Sequence, residues 1–127
     1  MEVLSSRLLL RPSDLERSVR FYEQTLGLGV YREWGEGASR SVVFFLGGGY
    51  LEVSGSSQEP PSQAVRLFIQ VRDLAATREQ LASRGVPIEQ EPELKPWGLL
   101  ELVARDPDGL ALVFVEVPAT HPLRRRG

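Results

Sequence analysis

Two arginines in matching surroundings are the first residues in this chain that suggest chemistry. Arg7 and Arg66 each open a short apolar run, and an Asp-Leu pair follows each arginine at the same distance. A guanidinium group stays protonated in proteins and binds carboxylates through paired hydrogen bonds. The two positions therefore indicate contact with an anionic group, either on a bound molecule or on an internal carboxylate such as Glu52.

The spacing of these residues suggests an internal repeat. Arg7 to Arg66 and Asp14 to Asp73 are both offsets of 59 residues. A duplicated supersecondary unit explains this with the fewest assumptions. Two unrelated strand-to-helix junctions with similar capping residues are the alternative.

The composition excludes several other classes of protein. The chain has 127 residues, no cysteine and a net charge of −2 with acids and bases interleaved. Disulfides and thiolate metal sites are excluded, and no general attraction to nucleic acid is expected. No apolar run approaches the ~20 residues of a membrane span. The N-terminal residues lack a signal-peptide pattern, so we expect a cytoplasmic protein with no nucleic-acid or membrane partner.

The first half of the chain predicts a β-α-β-β-β order. After the strand that begins at Arg7, Ser13 and Glu16 form a capping box for a helix that runs to Gly27. The three strands that follow are Leu28 to Trp34, Arg40 to Leu46 and Tyr50 to Ser54. The glycine triplet 47–49 lies between two strands and opens no helix, which favours a hairpin turn over a phosphate-binding loop.

The second half predicts the same order. A strand at 65–72 is followed by a helix from Asp73 to about Arg84, with Gly85 at its end. The remaining strands are a short one near Pro87 to Glu89 and longer ones at Leu99 to Arg105 and Leu110 to Val117. We expect one domain, 1–127, with module 1 at about 4–55, a linker at about 56–63, module 2 at about 64–117 and a tail at 118–127.

The tail carries the densest basic cluster, the three arginines 124–126, and also His121, the only histidine. A solvated chain end accounts for the cluster better than a nucleic-acid-binding arm, because three charges neutralise few phosphates.

The ordered motifs together resemble the vicinal oxygen chelate superfamily, which includes glyoxalase I, extradiol dioxygenases and bleomycin-resistance proteins. The resemblance covers about Leu4 to Val117. It rests on the duplicated pattern and on three motifs, namely 14–22 (DLERSVRFY) with Leu26-Gly27-Leu28 after it, Pro96-Trp97-Gly98, and Asp106-Pro107-Asp108-Gly109 before the last strand. It implies an α+β fold in which two tandem βαβββ modules form a curved mixed-sheet cup with the helices on the outer face.

The resemblance also implies where a metal ion would be bound. The metal-dependent members use two histidines and two glutamates, and these positions fall on Arg7, Arg66, Glu52 and Val113. Glu52 alone retains a ligand. Because arginine has no lone pair to offer and valine has no donor atom, we expect no metal and no other cofactor.

Strand alternation predicts which side chains share a face with these positions. Arg7 and Arg11 would lie on one face of the first strand, with Leu8 and Leu10 turned to the helix. Tyr50 and Ser54 would accompany Glu52, and Phe68 and Gln70 would accompany Arg66. The resemblance adds Trp97, because the Pro-Trp-Gly loop lies beside the drug-binding groove in the bleomycin-resistance branch. The candidate ligand-binding residues are Arg7, Arg11, Tyr50, Glu52, Arg66, Phe68, Gln70 and Trp97.

Three functions are compatible with these residues. The first is metal-free binding of a planar or anionic organic molecule, for sequestration or as a carrier. The second is a metal-independent lyase or isomerase with Glu52 as general base. The third is an interaction module whose cup is closed by a salt bridge between Glu52 and the arginines. The resemblance also implies a homodimer, in which modules of two chains pair and the cup combines Arg7 and Glu52 of one chain with Arg66 of the other. Pairing of the two modules within one chain is the alternative.

Overall fold

The computed structural model describes residues 1–123, and the arginines 124–126 lie outside this range. These residues form two compact units, Met1–Pro60 and the part that begins at Pro61. The division falls within the segment predicted as a linker. Within residues 1–123 no helix is long and apolar enough to cross a membrane.

The first unit is a four-stranded mixed sheet with one helix. Its elements are β1 (Arg7–Leu10), α1 (Leu15–Arg20), β2 (Val30–Trp34), β3 (Ser41–Leu46) and β4 (Gly49–Ser54). The strand order is β1-β4-β3-β2, with β1 parallel to β4 and the other pairs antiparallel. A short 3₁₀ turn, Gly37–Ser39, joins β2 to β3.

The second unit repeats this topology. Its elements are β5 (Arg66–Gln70), α2 (Leu74–Ser83), β6 (Ile88–Leu94), β7 (Leu100–Arg105) and β8 (Ala111–Glu116). The order is β5-β8-β7-β6, again with one parallel pair, β5 with β8. The prediction of an α+β protein with two tandem βαβββ modules is therefore confirmed.

The two helices begin at aspartates with nearly identical backbone angles. Asp14 has φ −138° and ψ 103°, and Asp73 has φ −139° and ψ 104°. Each carboxylate accepts the backbone N–H three residues on, at 3.1 Å from Arg17 and 3.0 Å from Ala76. The prediction of Ser13 as N-cap was wrong, because the neighbouring aspartate takes that place. The Ser13 hydroxyl accepts a hydrogen bond from the Arg17 guanidinium instead.

The first helix changes its winding before it ends. After Arg20 it continues as a π-helical turn, Phe21–Thr25, in which the Leu26 N–H donates to the Phe21 carbonyl. The expectation of one regular α-helix up to Gly27 was wrong in this respect. The apolar positions Leu15, Val19, Tyr22 and Leu26 recur three or four residues apart, which is also the pattern of a regular α-helix, so their spacing did not reveal the π-helical turn.

The helix covers one face of the first sheet and leaves the other face for chemistry. Val19 and Tyr22 of the helical segment pack with Phe44, Leu51 and Val53 of the strands. Leu8 and Leu10 join this cluster, as the alternation predicted. Residues of β1 and β4 that lie between these positions in sequence therefore face away from α1.

Two turns were predicted from their residues and are confirmed. Leu46 pairs with Gly49 across the β3–β4 hairpin, and Gly47 has φ 56°. In the β7–β8 connection one oxygen of the buried Asp106 carboxylate accepts the N–H groups of Asp108 and Leu110, both at 2.9 Å. Gly109 has φ 95° there, a conformation that favours glycine.

The strand β6 extends well beyond the predicted Pro87 to Glu89. It reaches Leu94 and includes Pro92. A proline fits because β6 is at the edge of its sheet, where one side of the strand needs no hydrogen-bond donors. The charged sequence of an exposed edge strand gave little apolar alternation from which to predict it.

Candidate functional site

In the first unit the predicted polar residues lie together on one face of the sheet. Arg7 is in register with Tyr50, and Leu9 with Glu52. The Glu52 carboxylate accepts hydrogen bonds from the Arg7 guanidinium at 2.9 Å and from the Ser54 hydroxyl at 2.6 Å. Arg11 donates to the Ser54 oxygen at 2.7 Å and lies 3.8 Å from Glu52. We call Arg7, Arg11, Glu52 and Ser54 the polar cluster.

The polar cluster stabilises the charged form of its carboxylate. The hydrogen bond from Ser54, then the hydrogen bond and charge of Arg7 and the charge of Arg11, lower the pKa of Glu52 below its ordinary value, although burial opposes the shift. The Glu52 side chain is 12% exposed. Glu52 is therefore an ionised hydrogen-bond acceptor whose proton affinity is weakened.

Aromatic rings continue the same face beside the polar cluster. Tyr50 stacks on Tyr31 at 4.8 Å between ring centroids, and Phe45 contacts both rings. The Arg7 guanidinium carbon lies 6.0 Å from the centre of the Tyr50 ring. Tyr31 and Phe45 are about half exposed. Planar surface and positive charge thus lie side by side.

Sequence reasoning identified Tyr50 but missed Tyr31 and Phe45. The signal for Phe45 was available, because it pairs with Tyr50 across the β3–β4 hairpin. Tyr31 gave no usable signal. The register of β2 shifts between Val30 and Arg32, and a bulge of this kind changes which face a residue occupies.

In the second unit the corresponding face is different in chemistry. Arg66 pairs with Ala111, Phe68 with Val113 and Gln70 with Val115. Val113 therefore occupies in β8 the place that Glu52 occupies in β4. Arg66, Phe68 and Gln70 are exposed. In the described part of the chain the Arg66 side chain makes no hydrogen bond or ion pair, although its charge contributes to the lowered pKa of Glu89.

Trp97 lies in the loop between β6 and β7. Its ring is 58% exposed, and the indole N–H donates to a carboxylate oxygen of Glu101 at 2.7 Å. A ring nitrogen of His121 lies 3.2 Å from the Trp97 carbonyl oxygen, so the C-terminal segment contacts this loop. Glu101 and His121 were not predicted to support Trp97. Glu101 could have been found, because strand alternation places it on the same face of β7 as Val103 and Arg105.

The side chains at the positions implied for metal ligands do not fit a metal ion. Arg7 and Arg66 carry no lone pair, Val113 carries no donor, and the Glu52 oxygens already accept hydrogen bonds from Arg7 and Ser54. Within residues 1–123 no group of three or more histidine, cysteine, aspartate or glutamate side chains is arranged to hold a metal.

The candidate ligand-binding residues thus fall into two sets. The first unit brings together Arg7, Arg11, Tyr50 and Glu52, which share one sheet face. The second unit places Arg66, Phe68 and Gln70 on one strand and Trp97 in a separate loop.

The topology and this pattern of positions are those of a family of small α+β proteins. The sequence profile of the Glyoxalase/Bleomycin resistance protein/Dioxygenase superfamily matches residues 5–114. The chain belongs to this superfamily.

Individual relatives span almost the whole chain. A probable lactoylglutathione lyase from Vibrio cholerae is 24% identical, with 89% of this chain and 90% of the relative aligned. The antibiotic binding protein TnmS3 from Streptomyces sp. CB03234 has a similar structure, with a TM-score of 0.77, 21% identity and coverage of 92% of this chain and 98% of its own. A superfamily member from Sphaerobacter thermophilus gives a TM-score of 0.72 at 23% identity, covering 91% and 98%.

Proposed function

We propose that this protein binds a planar or anionic organic molecule without a metal ion, for sequestration or transport. The observation that carries the proposal is which residues occupy the positions implied for metal ligands. Glu52 accepts hydrogen bonds from Arg7 and Ser54. The three other ligand positions are occupied by Arg7, Arg66 and Val113. A family member with these residues keeps the sheet face that would bind a ligand but lacks the side chains that would bind a metal ion.

Charge and exposed ring surface support this class of ligand. The polar cluster combines the two guanidinium groups of Arg7 and Arg11 with one carboxylate, so its net charge is positive. The Arg11 side chain is 47% exposed. Tyr31, Phe45 and Tyr50 offer ring faces next to it. A flat molecule with an acidic group can use both features at once.

A second candidate is a metal-independent lyase or isomerase with Glu52 as general base. The relative described as a probable lactoylglutathione lyase favours it. The environment of Glu52 opposes it, because a carboxylate whose pKa is lowered by Ser54 and Arg7 accepts a proton less readily. Glu52→Gln would abolish turnover in such an enzyme and would only shift affinity in a binding protein.

The binding proposal is tested by a screen with tryptophan fluorescence. Planar aromatic or anionic compounds should quench the signal, and Trp97→Ala should weaken the best of them by about 1 kcal/mol or more. Trp34→Ala is the matched control, because Trp34 is also exposed but stacks with Arg32 on the first unit. Arg66→Leu should weaken anionic compounds selectively.

Two outcomes would count against binding at these residues. Trp97→Ala could lower the melting temperature while affinity is unchanged, and Trp97 would then be structural. Arg7→Leu and Glu52→Gln could destabilise the fold equally with no effect on any compound, which would favour an interaction module closed by its own ion pair.

We also propose a homodimer. Each of the two sheets has a linear strand order with open edges, β1 and β2 in one and β5 and β6 in the other. Open edges are commonly covered by pairing between chains. Sedimentation at micromolar concentration should give the mass of two chains, and a monomer throughout would exclude a site shared between protomers.

A further inference from the structure

A nearly buried carboxylate without a cationic partner lies next to the exposed Trp97 ring. Glu101 is 7% exposed, and one of its oxygens accepts the indole N–H at 2.7 Å. Within residues 1–123 the Glu101 side chain makes no other hydrogen bond and no ion pair. Buried carboxylates in proteins are normally paired with a cation or with several donors. One neutral N–H leaves the second oxygen available.

The surroundings of Glu101 are acidic. Its partner across the β6–β7 pairing is another glutamate, Glu93, and like charges opposite each other destabilise a sheet. The lysine of this region does not neutralise Glu101, because Lys95 lies 3.4 Å from Glu93 and donates to Gln90 at 3.0 Å. Two carboxylates and one ammonium group leave a net negative charge.

Among residues 1–123, the neighbouring elements place no second cation against Glu101. On β8 the residue opposite Glu101 is Val115. In the C-terminal segment the Leu123 N–H donates to Nδ1 of His121, and Nε2 lies 3.2 Å from the Trp97 carbonyl. Both ring nitrogens of His121 therefore contact backbone groups, and His121 forms no ion pair with Glu101.

The Trp97 ring is held in place although it is exposed. Its N–H is fixed by Glu101, and its loop is closed by hydrogen bonds from the Lys95 N–H to the Leu99 carbonyl and from the Gly98 N–H to the Lys95 carbonyl, both at 2.8 Å. An exposed indole face attracts cations. The ring and the carboxylate thus present two features that favour the same kind of group.

We propose that Trp97 and Glu101 form a subsite for an organic ammonium group of a small-molecule ligand. The ammonium group donates to the available oxygen of Glu101 and contacts the indole face. This inference rests on the proposed ligand-binding function and deepens it. The group expected at Trp97 and Glu101 is positively charged, whereas the polar cluster of the first unit favours a negatively charged group.

The test compares three probes of similar size and shape but different charge, namely benzylammonium, benzyl alcohol and benzoate. The protein carries Trp34→Phe, so that Trp97 is the sole tryptophan. Binding is followed by fluorescence and by the indole N–H resonance in NMR, which reports directly on the contact with Glu101. Benzylammonium should bind about tenfold more tightly than benzyl alcohol.

The variant Glu101→Gln separates charge from support of the ring. A glutamine oxygen still accepts the indole N–H, but the charge is lost, so the preference for benzylammonium should fall to about twofold or less. Glu91→Gln is the matched control. Glu91 is an exposed residue of β6 paired with Arg78, and its loss should leave the preference intact.

Each outcome has a defined meaning. The subsite is overturned if the protein with Glu101 binds benzylammonium no better than benzyl alcohol, or if Glu101→Gln keeps the preference. The first of these comparisons needs no variant at Glu101 and stands even if that variant is unstable. If benzoate or benzyl alcohol binds and benzylammonium does not, the ammonium subsite alone fails. If no probe perturbs Trp97, the proposed ligand binding at this loop fails as well.

Discussion

The two units carry their carboxylates on different strands of the same topology. In the first unit Glu52 lies on β4, in register with Leu9, and the equivalent position on β8 is Val113, in register with Phe68. In the second unit the nearly buried carboxylate is Glu101 on β7, which pairs with Val115. A shared backbone register therefore does not fix the chemistry of a sheet face.

The difference extends to how each carboxylate is held. Glu52 is surrounded by Arg7, Arg11 and Ser54. Val113 instead packs into an apolar cluster with Leu99, Val103, Val115 and Val117, and Glu101 is bound by a neutral indole. The first face is built around an ion pair. The second is built around apolar contacts, with one carboxylate that has no cationic partner among residues 1–123.

The largest expected effect tests whether the helix-covered faces are equivalent although the other faces differ. Leu51 and Leu112 are both fully buried and occupy matching positions opposite Leu8 and Leu67. Leu51→Ala and Leu112→Ala should each lower the free energy of unfolding by about 2–5 kcal/mol, because each leaves a cavity. Denaturant unfolding measures this, and a loss below about 1 kcal/mol in either variant would show that its unit repacks.

An intermediate effect is expected from removing each carboxylate charge. Glu52→Gln should cost about 1–2 kcal/mol at neutral pH, since Arg7 loses a charged acceptor. Glu101→Gln should change stability by no more than about 0.5 kcal/mol, because no cation loses its partner. Urea unfolding at pH 7 compares the two variants, and equal losses would contradict the distinction drawn between the two faces.

The pH dependence gives a separate test of Glu52. Its pKa is lowered in the folded state, so its contribution to stability is complete above the unfolded-state pKa of about 4.3 and is lost as the pH falls through the folded-state value. The gap in unfolding free energy between wild type and Glu52→Gln should therefore close in acid. A gap that stays constant down to pH 2 would exclude this linkage.

A local effect is expected at a glycine beside the polar cluster. Gly55 has φ 65°, and a Cβ atom there would lie 2.8 Å from Cδ of Arg11. Gly55→Ala should cost about 1 kcal/mol of backbone strain and should also displace Arg11, weakening anionic ligands. Gly47→Ala is the control, because Gly47 has φ 56° with nothing near the added atom. It should show the strain without the change in affinity.

Local rules predicted most of the strands and the start of the second helix at Asp73. The Asp-Leu pairs, the glycine turn and Asp106-Pro107-Asp108-Gly109 act within a few residues, so sequence alone indicates them. Ser13, the π-helical turn and the length of β6 were predicted incorrectly. Ser13 lies beside Asp14, which takes the N-cap position. For β6, the edge position removes the usual apolar pattern.

The site was only half predictable for a different reason. Alternation predicts which residues of β1 share a face with Arg7 and which residues of β4 share a face with Glu52. The parallel register that brings these two faces together is seen only in the structure. Tyr31 depends on a bulge in β2, and the support of Trp97 depends on Glu101 and on His121 returning from the C-terminal segment. Such contacts depend on a bulge in a strand or join residues far apart in the sequence, so the local pattern does not predict them.

By itself the sequence determined the duplicated topology, the family and the absence of metal donors at Arg7, Arg66 and Val113, because these depend on residue type and short spacing. Tertiary structure alone decided that Arg7 pairs with Glu52, that aromatic rings adjoin this pair, and that Glu101 is buried with no cationic partner among the described residues. The physical reason is that hydrogen bonds and burial are set by which strands become neighbours and by their register, and neither is encoded in the spacing of single residues.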